Sequence, residues 1–307
     1  MSHRIASVAC TSPAGLHRMA YYDWGDPQNP DVVLCVHGLT RNGRDFDVLA
    51  QALSSRYRVI CPDVVGRGLS DWLSLPMNYV VPQYAADMVN LINQIKPQTL
   101  RWVGTSMGGL IAMTYAALLA QASVPAPSLP PARCGQSLPE PFVPITRLVL
   151  NDVGPRVQGQ SIERITAYLC EPVQFDSFAQ AVQYIKTTAA SFGPHTDAQW
   201  EMLTKHYFVQ RDGRWVKHYD PAIAVAFGAI TPQWAAAGEA AMWQAFAGIE
   251  APTLVLHGEQ SDLLLADTVD AMQRARARVQ VHTVKGVGHA PSLLQADQVE
   301  VVRAFLQ

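Results

Sequence analysis

No stretch of this sequence approaches the roughly 18 unbroken apolar residues of a bilayer-spanning helix, so no such helix is expected. The opening residues, Met1 to Cys10, hold no apolar run of signal-peptide length, and a cytoplasmic location is the expectation. Charge is also sparse: 16% of residues are charged, the formal net charge is -2, and Lys and Arg form no block. Nucleic acid and anionic membrane surfaces both demand clustered cations, so neither is expected as a partner. The five cysteines (Cys10, Cys35, Cys61, Cys134, Cys170) are odd in number and show no metal-ligand spacing, which points to free thiols in a reducing compartment. Cys35 and Cys61 fall inside apolar runs and read as small buried hydrophobes. No dinucleotide fingerprint, metal cluster or internal repeat is visible, so no cofactor and no metal are expected.

What is present is ample core material. Hydrophobic residues make up 49% of 307, enough for one large α/β domain carrying an insertion. Strand patterns at Leu16 to Trp24, Val32 to Val36, Tyr57 to Cys61, Leu100 to Val103, Ile145 to Leu150, Thr253 to Leu256 and Val279 to Val284 dominate the chain. Between them Phe46, Leu49 and Leu53 recur at helical spacing, as do Tyr84, Met88, Leu91, Ile92 and Ile95. Further helices are expected at Leu110 to Ala120, near Ala266 to Ala275, and at Gln298 to Leu306. This alternation predicts a mostly parallel central sheet flanked by helices on both faces. Two stretches break it. Ser123 to Pro144 is rich in Pro and Ser and reads as an exposed excursion. Residues 155–248 are helical in pattern and rich in Trp, Tyr and Phe, and read as a helical lid (cap) inserted into a core formed by 1–154 and 249–307.

Chemistry concentrates at strand ends. Gly104-Thr105-Ser106-Met107-Gly108 lies between a strand and a helix, the setting that a G-x-S-x-G nucleophile elbow requires. Gly104 and Gly108 fit a turn too tight for flanking side chains. His37-Gly38-Leu39 follows another strand; there the backbone N–H of Leu39, with that of Met107, can form an oxyanion hole, while the His37 imidazole reads as structural. His289, in Gly286-Val287-Gly288-His289, follows the last strand and can reach Ser106 as a general base. His257 reads as loop support. The acid that orients His289 is assigned to Asp262, in preference to Asp152, which follows a strand at the same sheet edge, and to Glu259. Arg41 and Arg44 could meet a carboxylate, but solvated surface roles suit them better.

With those residues in view, the chain resembles the α/β-hydrolase superfamily, in its lid-bearing, serine esterase-like branch. The likeness rests on His37-Gly38, the Asp63-Val64-Val65-Gly66-Arg67-Gly68-Leu69-Ser70 segment (similar to the family's largely structural D-x-x-G-x-G-x-S), the elbow, and the order Ser106, Asp262, His289. Leu39 stands where many relatives carry an aromatic residue or proline, and the 123–144 excursion is longer than usual. The resemblance implies an α/β-hydrolase fold and acyl transfer through Ser106. A serine at the elbow disfavours carbon–halogen and epoxide cleavage, which use a carboxylate there, and points to esters or thioesters with an apolar portion. Carbon–carbon bond hydrolysis of diketone-type substrates, perhydrolysis, and a non-catalytic binding role on the same fold are the alternatives.

Overall fold

Along β3 (Asp31–Val36) the side chains of Val32, Leu34 and Val36 enter one hydrophobic cluster, and those of Val33 and Cys35 enter another. The same alternation recurs in β6 (Ile145–Asn151), where Leu148 and Leu150 oppose Val149, and in β10 (Thr253–Gly258), where Val255 opposes Leu254 and Leu256. Strands with period-two side chains and both faces apolar must be covered by helices on both sides. A computed structural model, described here for residues 2–122, 143–158, 165–169 and 171–307, shows that arrangement. The eight strands order as β1-β2-β4-β3-β5-β6-β10-β11. From β4 (Arg58–Pro62) through β3, β5 (Thr99–Thr105), β6 and β10 to β11 (Val279–Val284) all pairings are parallel. β1 (Arg4–Ser12) and β2 (Gly15–Trp24) add an antiparallel edge; β1 lacks a marked alternation and was not expected.

The first cluster lies under α2 (Val81–Ile95), α3 (Met107–Ala122) and the helix Ala266–Ala275; the second lies under α1 (Asp47–Leu53) and the closing helix Ala296–Leu306. At ~1.5–3 kcal/mol per fully buried aliphatic or aromatic side chain, these two layers are the main stabilising term. The Pro-rich excursion falls largely on 123–142, outside the described residues.

Between β6 and β10 the chain leaves the sheet. That segment holds α4 (Phe178–Thr188), α5 (Asp197–Lys205), α6 (Ile223–Gly228) and α7 (Pro232–Ala247), but it is not wholly helical. β7 (Gln174–Phe175), β8 (Phe208–Arg211) and β9 (Arg214–Lys217) form a small antiparallel sheet in the order β7-β9-β8. The β8–β9 turn is Asp212-Gly213, with φ of 49° and 77°, the left-handed pair that a two-residue hairpin turn demands. The labels α8 and α9 are used below for Ala266–Ala275 and Ala296–Leu306.

Candidate active site

Ser106 sits between β5 and α3 with φ of 51°, in the left-handed region, its N–H bonded to Asn151 O at 3.0 Å. The turn closes only because its neighbours lack side chains. A Cβ on Gly104 would fall 2.5 Å from the Gly108 backbone, and one on Gly108 would fall 1.9 Å from Val36 O. Gly38 also approaches closely, with its Cβ position 3.7 Å from Ser106 Cβ. The loop after β3 therefore lies directly against the elbow.

His289, on the loop after β11, places Nε2 2.9 Å from Ser106 Oγ. Its Nδ1 lies 2.8 Å from Asp152 Oδ2. The sequence pointed to Asp262 for this place, and the structure corrects that to Asp152. Asp152 directly follows β6, has φ of 54°, and is wholly buried, so its side chain turns along the sheet edge toward His289. Asp262 is exposed on the loop after β10. That loop supports the carboxylate instead of supplying it. Gly258 N–H donates to Asp152 Oδ1 at 2.8 Å, and Ser261 Oγ donates to Oδ2 at 2.6 Å. Ser261 Oγ in turn accepts from the N–H groups of Leu263 and Leu264, and His257 Nε2 lies 3.1 Å from Leu264 O, in the loop-supporting role expected of it. Glu259, the third candidate, accepts from Gly286 N–H at an exposed position.

Leu39 and Met107 both line the space in front of Ser106. Met107 opens α3, so its N–H belongs to the first turn, where no intrahelical acceptor exists. His37 is fully buried; Val64 N–H donates to its Nε2 at 2.9 Å, and its Nδ1–H donates to Gly38 O at 2.7 Å. Burial pushes its pKa down to about 3, which holds the ring neutral and structural. Arg41 is bound to Asp45 at 2.7 and 2.6 Å, and Arg44 to Asp47 through a short ion pair. Both cations are therefore matched within their own turn.

Two cavities meet at Ser106, Leu39 and Ile165. One, of about 130 Å³, includes His289, Thr40, Arg41, Tyr184 and Tyr207. The other, of about 340 Å³, is more apolar, with Val81, Leu110, Val153, Val157 and Phe227 in its wall. Ile165, Tyr184, Tyr207 and Phe227 come from the segment between β6 and β10, so that insertion roofs the elbow.

Sequence reasoning missed Asn151, which ties the site together by donating to Thr105 Oγ1 and Pro291 O, and it missed Ser261. Asn151-Asp152 at a strand end carried the signal. Among the described residues one buried group has metal-type ligands: Cys10, His17 and Asp87, at the β1–β2 edge. There His17 Nε2 already lies 3.0 Å from Asp87 Oδ2, and burial pushes the Cys10 thiol up to about 12, so the group reads as a buried His–Asp pair beside a protonated thiol.

A family model described as the alpha/beta hydrolase family matches residues 33–304. A 3-hydroxybutyrate-oligomer hydrolase from Cupriavidus necator is 47% identical over 308 residues, covering 99% of this chain and 98% of that protein. Among solved structures, an alpha/beta hydrolase from Novosphingobium aromaticivorans is 34% identical with a TM-score of 0.80, covering 100% of this chain and 99% of its own. A putative hydrolase from Rickettsia typhi is 27% identical with a TM-score of 0.82, covering 99% and 98%. No helix among the described residues is long and apolar enough to cross a membrane. The chain thus belongs to the alpha/beta hydrolase family and is a hydrolase.

Proposed function

We propose that this protein hydrolyses carboxylic esters through an acyl-enzyme on Ser106, and that its substrates are short oligoesters of a small hydroxy acid. The observation that carries the mechanism is the continuous hydrogen-bond chain from Ser106 Oγ through His289 to Asp152. The substrate class rests on the similarity to the 3-hydroxybutyrate-oligomer hydrolase along nearly the full length of both chains.

His289 Nε2 takes the Ser106 proton as Oγ attacks the ester carbonyl. Asp152, itself held by Gly258 N–H and Ser261 Oγ, fixes the proton-bearing Nδ1 and stabilises the imidazolium. The N–H groups of Leu39 and Met107 receive the oxyanion, and the N-terminus of α3 adds its dipole. His289 then protonates the leaving alcohol, so the alcohol must lie on the His289 side. That assigns the alcohol to the cavity holding Tyr184 and Tyr207, and the acyl group to the apolar cavity under Val153 and Phe227. Water activated by the same histidine releases the acid. The segment 155–248 acts as the lid, since its described residues Ile165, Tyr184, Tyr207 and Phe227 line the cavities at the elbow.

The test is hydrolysis of 3-hydroxybutyrate dimers to tetramers and of a p-nitrophenyl ester series, with Ser106→Ala alongside. Turnover by the parent that disappears in the variant supports the reading. A folded parent inert on every ester, yet active on a diketone, would move the assignment to carbon–carbon bond hydrolysis.

A further inference from the structure

Arg67 is among the largest side chains in the protein with no exposed surface. A full charge so placed is costly unless it is paired, yet among the described residues no carboxylate forms an ion pair with it. Its donors go elsewhere. Nε donates to Leu39 O at 2.8 Å, Nη1 donates to Val65 O at 2.7 Å, and Nη2 points to Met107 Sδ at 3.7 Å. The guanidinium also lies 4.9 Å from the centre of the Tyr84 ring and 5.9 Å from that of Tyr79. Beyond Val65 in its own segment, the residues its donors meet, 28 and 40 positions away in sequence, are thus the two whose N–H groups face the reacting oxygen in the mechanism above.

We propose that Arg67 is a positioning residue for the oxyanion-binding amides, clamping Leu39 and the start of α3 together behind the elbow. The inference rests on the reading of Ser106 as nucleophile. The clamp on Leu39 is two-sided. The peptide plane carrying its N–H ends in Gly38 O, which accepts from His37 Nδ1–H; the next plane carries Leu39 O, which accepts from Arg67 Nε. His37 is itself anchored by Val64 N–H, so both jaws are set by the segment from Asp63 to Ser70. Asp63 locks that segment to the loop after β3, accepting from the N–H groups of Gly43 and Leu69 at 2.8 Å each. Rigid donors need no reorganisation when charge develops, which is where their rate advantage lies. The planar fork of arginine, unlike the point charge of lysine, can hold separate acceptors at once.

The experiment compares the parent with Arg67→Met and Arg67→Lys, each checked for folding by circular dichroism and thermal melting. It measures kcat and KM on one ester and the affinity for a trifluoromethyl ketone that adds reversibly to Ser106 as a tetrahedral mimic. Arg67→Met is expected to lower kcat by about 10²-fold, near the low end of losing one donor, with KM changed by less than about threefold. Affinity for the ketone should fall by the same factor, and Arg67→Lys should recover only part of both losses. If Arg67→Met does not fold, Arg67→Lys carries the comparison. Unchanged kcat and ketone affinity in a folded variant would overturn the inference, as would a loss confined to KM or to thermal stability. A parent that neither binds the ketone nor takes a fluorophosphonate on Ser106 would overturn the nucleophile reading, and this one with it.

Discussion

Asp152 reaches His289 because its backbone adopts φ of 54°, a conformation that costs a non-glycine residue and is held here by Asp152 N–H on Leu256 O at 2.8 Å. Its carboxylate then accepts from an amide, a hydroxyl and the imidazole at once. Replacing it with Asn would present an amide N–H to a ring nitrogen whose own N–H must donate, and so favours the wrong tautomer. Asp152→Asn should therefore lower kcat by about 10⁴, whereas Asp262→Asn should stay within a small factor of the parent. Ser106→Ala should cost about 10⁶. Steady-state kinetics on one ester checks all three, and a damaging Asp262→Asn beside a benign Asp152→Asn would return the acid to Asp262. In the sequence both acids follow strands at the same sheet edge and both lie between Ser106 and His289, and nothing in that pattern reveals which of two strand-end carboxylates turns inward. Ser106 and His289 were legible because glycines crowd them; Asn151-Asp152 carries no such punctuation.

At the scale of elements, the elbow is a contact between backbones: α3 begins where Gly108 rests on β3. Gly108→Ala puts a methyl 1.9 Å from Val36 O, so β3 or α3 must move. A loss of about 1–3 kcal/mol is expected, read as a lower melting temperature, and turnover should fall with it as the elbow shifts. In the roof, α4 is started by a capping box in which Ser177 and Gln180 satisfy each other's backbone groups. Ser177→Ala should cost about 1 kcal/mol in urea unfolding while leaving the elbow untouched. The inner parallel strands β3, β4 and β10 were legible as apolar runs because burial on both faces removes polar residues. The roof was harder. Its pattern suggested helices throughout, although Asp212-Gly213 between Phe208-Val209-Gln210-Arg211 and Arg214-Trp215-Val216-Lys217 is a hairpin signal that periodicity over long windows washes out.

For the whole molecule, the two hydrophobic layers and the roof are joined by buried polar groups whose titration links stability to pH. His206, at the end of α5, has its pKa lowered to about 4, first by burial and then by Arg44. The unfolded chain, with an ordinary histidine near 6.5, therefore binds more protons between about pH 4 and 6.5 than the folded one. This group's contribution to stability is lost as pH falls through that window and is constant outside it. Relative to His206→Gln, the parent should lose stability on going from pH 6.5 to 4; equal slopes in urea titrations of the two would contradict the burial argument. Asp63, raised by burial to about 6, works in the opposite sense, and so the variant comparison and not the bare profile isolates the histidine. None of this was legible in the sequence, since a histidine's surroundings are set by residues far away in the chain.

The central claim, an acyl-enzyme on Ser106, is tested most directly by acid-quenched intact-mass and peptide spectrometry during turnover of a p-nitrophenyl ester. The expected result is a burst approaching one p-nitrophenol per chain, with the acyl mass on the peptide containing Ser106 and absent from Ser106→Ala. Turnover with no covalent acyl group on that peptide at any quench time, or an intact burst in Ser106→Ala, would contradict it.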